Sequence, residues 1–156
     1  MNFLKILIAA FSATNVMTTF SYLVSLHYNR LFKEPVLLNY VLDDLHLCPK
    51  GKMKFISGWL AHYIVGVMFV ISYSLVWTYT EVEFGLISGI VLGIISGIIG
   101  ILGWRLIYRL PSKEPHVPLH EYYLQLFFAH IVFACVVVVA FILYDYDPVG
   151  RIQDSF

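Results

Sequence analysis

A chain of 156 residues that is 60% hydrophobic, 13% charged and uncharged overall at pH 7 lies far from a soluble domain, which is about half apolar and about a quarter charged. Its mean hydropathy of +0.79 points to the membrane. No basic patch is large enough for nucleic acid, and the two cysteines, Cys48 in a polar loop and Cys135 within an apolar run, give neither a disulfide framework nor metal-type spacing.

Four runs are long enough to cross a bilayer, which takes about 20 apolar residues. They cover residues 3–26, 55–78, 84–104 and 119–143 and use nearly the whole chain. The expected fold is therefore an all-α integral membrane protein, a single membrane domain over residues 1–156 built as a four-transmembrane-helix bundle. The first run is too long for a signal peptide and closes on no small-x-small site, so it reads as a retained span.

Span one is the most polar. Thr14, Thr18, Ser21 and Ser25 share one helical face, with Asn15, Thr19 and Tyr22 beside it. That face should look into the bundle, where hydroxyls and amides bond across helices. It serves either as inter-helix glue or as the lining of a polar pocket, for which Thr14, Asn15, Thr18 and, from span two, Tyr73 are the candidates. The loop that follows holds Arg30, Lys33, Lys50, Lys52 and Lys54. Within it, Glu34-Pro35 can open a helix, because proline is welcome in a first turn. Leu37, Tyr40, Val41 and Leu45 then form one stripe, which suits either a short interfacial helix over residues 35–46 or an ordinary connecting loop.

Span two ends at Trp77 and Tyr79, aromatics suited to the headgroup level. The acidic turn Thr80-Glu81-Val82-Glu83 is so short that spans two and three should form a tight antiparallel pair. Span three carries Gly85, Gly89, Gly93 and Gly97 at four-residue spacing, a GxxxG-type ridge that lets another backbone approach closely. A proline-rich connector, residues 110–118, leads to span four.

Lysines and arginines are most frequent in loops one and three, which should therefore be cytoplasmic with both termini outside. Lys5 opposes this assignment and can snorkel to the outer interface.

Spans two and four each carry a histidine in apolar surroundings, in the segments Trp59-Leu60-Ala61-His62 and Phe127-Phe128-Ala129-His130. An ionisable group in a membrane helix usually faces protein and marks a site. At 1.5 Å per residue both sit about 10 to 16 Å deep. The echo suggests two helix pairs related by a pseudo-twofold along the membrane normal. Three uses compete. The imidazoles can be structural hydrogen-bonding groups; His62 and His130 can ligate one haem b as an axial pair; or they can handle protons or a solute in a small carrier. No intramembrane carboxylate accompanies them, which weighs against the carrier. His116, His120 and Glu121, with His27 and His46, match no helical metal motif and read as solvated interface residues, so no metal site is expected. No hydrolase or nucleotide-binding motif is present.

Ala13-Thr14-Asn15-Val16-Met17-Thr18-Thr19, Gly58-Trp59-Leu60-Ala61-His62 with Gly66 and Tyr73, and Phe128-Ala129-His130-Ile131-Val132-Phe133 resemble a loose group of small four-span bacterial inner-membrane proteins. In that group Tyr-Gly often follows the second histidine, where this chain has Phe133-Ala134. The resemblance implies a bacterial inner membrane and no particular activity. The sequence thus leads to the expectation of a non-enzymatic accessory or assembly subunit, in contact with lipid and with other membrane subunits or further copies of itself. A haem b redox subunit and a small transporter are the alternatives.

Overall fold

The computed structural model describes residues 2–47, 54–109 and 117–145, leaving Cys48 and His116 outside the described residues. It is all-helical: α1 (Phe3–His27), α2 (Glu34–Asp44), α3 (Lys54–Tyr79), α4 (Leu86–Ile107) and α5 (Leu119–Asp145). Helices α1, α4 and α5, and α3 from Ile56 onward, are long and apolar enough to cross a membrane. Their outer faces expose large apolar side chains such as Phe11, Leu23, Met68, Ile98 and Leu143, the surface that acyl chains cover.

Local chemistry sets the ends. Asn2 caps α1, its side chain accepting from the Leu4 amide at 3.0 Å. At the other end Ser25 Oγ bonds the Arg30 carbonyl and accepts from the Phe32 amide at 3.4 Å, and Asn29 adopts φ 51°, a left-handed conformation that asparagine tolerates. This turn folds the chain back so that α2, with Pro35 in its first turn, returns along the bundle. Helix α2 does not lie free in the interface. Leu37 and Val41 of the expected stripe are buried, Tyr40 is exposed, and the fully buried positions include Glu34 and Pro35. The helix packs on α3 at Gly58, where a β-carbon would collide with the Pro35 carbonyl and lie 2.7 Å from the Asn39 amide.

The close pairs among the spans are α4 with α5, α1 with α5 and α1 with α3. On α1 the small residues Ala9, Ala10 and Ala13 are buried, which allows that approach. The glycine ridge of α4 meets α5: a β-carbon at Gly93 would lie 2.8 Å from Ile131 Cα, and one at Gly97 would lie 2.9 Å from the Phe127 ring.

Helices α3 and α4 are not among the close pairs, contrary to the tight antiparallel packing expected from their short connection. Side chains bridge them near the turn, where Trp77 Nε1 donates to Ser88 Oγ at 3.1 Å and Tyr73 Oη bonds Ser96 Oγ. Beyond Tyr73 the seam is looser. A pseudo-twofold would make α3/α4 equivalent to α1/α5, so this seam is where the two halves differ. At the same end as the α3/α4 turn, Lys5 Nζ pairs with Asp145 at 2.5 Å and lies 4.4 Å above the Phe141 ring, and Asn2 Nδ2 donates to Tyr144 Oη at 2.9 Å. Lys5 is therefore held by α5 instead of reaching alone toward the headgroups. The start of α1 and the end of α5 lie together.

Candidate functional site

The loose part of the α3/α4 seam encloses a cavity of about 240 Å³ beneath α2. Helix α1 contributes Thr14 and Met17; α2 contributes Glu34 and Leu38. From α3 come His62, Val65, Gly66 and Phe69, and from α5 come Leu126, His130 and Phe133. Gly100, Gly103 and Trp104 of α4 line the remaining wall with Ile99 and Ile107.

Both histidines point into protein, 7% and 6% exposed. His62 Nε2 lies 3.1 Å from Thr18 Oγ1, joining α3 to the polar face of α1. His130 Nδ1 lies 2.8 Å from the Leu126 carbonyl. A carbonyl only accepts, so Nδ1 carries the proton and Nε2 of the neutral ring keeps its lone pair. The ring wedges between the Phe69 ring, 5.5 Å away edge-on, and Gly100, where a β-carbon would come within 2.7 Å of it.

Glu34 is the group that the reading of the spans misses. It is 1% exposed and lines the same cavity as the two imidazoles. Its Oε1 accepts from Ser21 Oγ at 2.8 Å and from Gln125 Nε2 at 3.2 Å, and Gln125 Nε2 also donates to Ser21 Oγ at 2.6 Å. Its Oε2 is buried without a partner. Among the described residues the ion pairs are Lys5–Asp145 and Arg30–Glu121, so no lysine or arginine there neutralises it. Burial pushes its pKa up to about 7, while hydrogen bonds from its own backbone, Ser21 and Gln125 pull the other way with less effect. No carboxylate of the spans lines this cavity, but α2 places one in its wall, which answers the objection to proton handling. A signal for it exists in the sequence: Glu34 sits three, four and seven residues before Leu37, Leu38 and Val41, on the apolar face of its helix.

The candidate pocket residues on α1 and α3 divide. Thr14 lines the cavity, with Oγ1 buried and unpartnered, and Thr18 binds His62. Asn15 and Tyr73 lie elsewhere. Asn15 donates from Nδ2 to the Phe11 carbonyl at 2.7 Å and accepts at Oδ1 from Tyr63 Oη at 2.9 Å, while Tyr73 is spent on Ser96. Three acid–base side chains from three elements thus share one largely apolar chamber. No protein-family model, curated protein or solved structure matches the chain.

Proposed function

We propose that this chain is a small non-enzymatic membrane carrier, in which a solute occupies the cavity and Glu34, His62 and His130 exchange protons against it. The observation that carries the reading is the convergence of these three side chains on one cavity. They descend in steps. Glu34 lies level with Ser21 and Gln125, His62 with Thr18, and His130 deeper along α5. At 1.5 Å per residue, Ser21 to Thr18 is about 4.5 Å and Gln125 to His130 about 7.5 Å. A buried carboxylate oxygen without a partner costs about 1–3 kcal/mol or more, and a solute that pairs with it offsets that cost. In the orientation expected from lysine and arginine counts, with loops one and three cytoplasmic, Glu34 lies in the cytoplasmic half of the bundle.

The test is flux. Chain reconstituted in liposomes under a pH gradient is offered a panel of organic cations, anions and neutral solutes. Proton-coupled uptake of at least one class is expected, with loss in Glu34→Gln, which keeps an acceptor for Ser21. Uptake no greater than in empty liposomes for every class would overturn the reading.

A second reading has the inward-facing histidine pair in its favour. His130 Nε2 is free to serve as an axial haem ligand, with Nδ1 oriented by a carbonyl. His62 fits less well because its Nε2 is bonded to Thr18. The cavity of about 240 Å³ is also below the range of roughly 300–1,000 Å³ usual for sites of drug-sized ligands. A dithionite-reduced minus oxidised spectrum without a haem α band is expected; a band that disappears in His62→Ala would replace the carrier reading.

A further inference from the structure

We infer that the solute is a lipophilic ammonium, an amine with an apolar body, which reaches Glu34 sideways from the bilayer through the seam between α3 and α4. The inference rests on the carrier reading and names its solute class.

The charge preference comes from Glu34. Oε1 accepts from the Ser21 and Gln125 side chains, and Oε2, equally buried, has no hydrogen-bond partner. An anion meets like charge there, and a hydrocarbon leaves the oxygen unpaired, whereas an ammonium supplies both the charge and the N–H donors. The apolar body is asked for by the walls, where Phe69, Trp104 and Phe133 present aromatic surface that also attracts a cation. The route comes from exposure. Val65 and Ile99 line the cavity, yet are 43% and 52% exposed on the flank of the bundle, on the two helices whose seam is loose away from their turn.

Docking is proton-balanced. Protonated Glu34 releases one proton to water as the ammonium pairs with the carboxylate, so charge in the site rises by none. The titratable groups facing Glu34 are Tyr22 from α1, His62 from α3, Tyr108 at the end of α4, and Tyr122 and His130 from α5. None of the tyrosines exchanges a proton near neutrality, and Glu34→Gln separates the carboxyl from the two histidines.

Calorimetric titration of the full chain in lipid nanodiscs, with empty nanodiscs subtracted, tests this. The probes are 4-phenylbutylammonium, its neutral isostere pentylbenzene and the anion 5-phenylpentanoate. The ammonium should bind about tenfold tighter at pH 8 than at pH 6, as expected for displacement of one proton from a group titrating near 7. The other two should bind at least tenfold more weakly. Ammonium binding should be lost in Glu34→Gln and in Gly103→Leu. The second variant folds, because a β-carbon at Gly103 meets nothing within 4 Å and the side chain grows into the cavity. Equal binding of the three probes, a reversed pH trend, or undiminished binding in either variant would sink the inference. Failure of the ammonium to bind while reconstituted chain still exchanges some solute for protons sinks this inference and leaves the carrier. Absence of both binding and flux sinks both.

Discussion

Glu34 holds its proton in the folded chain over a range where an exposed carboxyl has lost it. Its pKa rises from 4.5 to about 7 because burial disfavours the charged form. The folded state therefore binds more protons than the unfolded state between those values, and stability falls as pH rises through the window. Below about pH 4.5 the effect is fully favourable, and above about 7 it is fully lost. We expect stability in detergent to drop between pH 5 and pH 8 by an amount on the order of 2–3 kcal/mol, seen as a falling thermal midpoint, and most of the drop to vanish in Glu34→Gln. Melting curves at four pH values check this. The histidines were legible in the sequence because a titratable side chain inside an apolar run stands out. Thr14 and Thr18 were legible because helical spacing puts them on one face. Glu34 was not, since a charge at the head of a short interfacial helix reads as solvated, and nothing in the spacing says that this helix packs its first turn into the bundle.

At the level of elements, the four spans follow from length and apolarity alone, and the observed helices extend the expected runs by only a few residues at most ends. The identity of the packed pairs does not follow. A glycine ridge says that some backbone comes close, without saying which, and the short α3/α4 turn suggested the wrong partner. The ridge is committed to α5, which leaves α3 and α4 bridged near their turn and loose beyond it. Two glycines of α4 then differ sharply. Gly93→Ala places a methyl 2.8 Å from Ile131 Cα, against backbone that cannot step aside, and should cost about 1–3 kcal/mol. Gly103→Ala, facing open space, should change stability by less than about 0.5 kcal/mol. Thermal melts of the two variants side by side provide the comparison.

Over the whole molecule, one end is tied by Lys5–Asp145 and Asn2–Tyr144, and toward the other α2 packs on α3. The cavity between them opens on the side. Trp104 is only 7% exposed but lines that cavity. In a background with Trp59 and Trp77 replaced by Phe, brominated acyl chains should quench Trp104 despite its burial, and Gly103→Leu should relieve the quenching. Equal quenching in the two proteins would mean that the seam is shut to lipid.

A flank mouth also changes what concentration means for this protein. A molecule arriving through it is drawn from the oily phase, where its abundance follows its oil–water partition more than its level in the cytoplasm. Each methylene added to the body of such an amine strengthens partition by about 0.8 kcal/mol, or roughly fourfold. Half-saturation, expressed as total aqueous amine, should fall by about that factor per carbon until the chain outgrows the chamber, and the same data replotted against membrane mole fraction should collapse onto one curve.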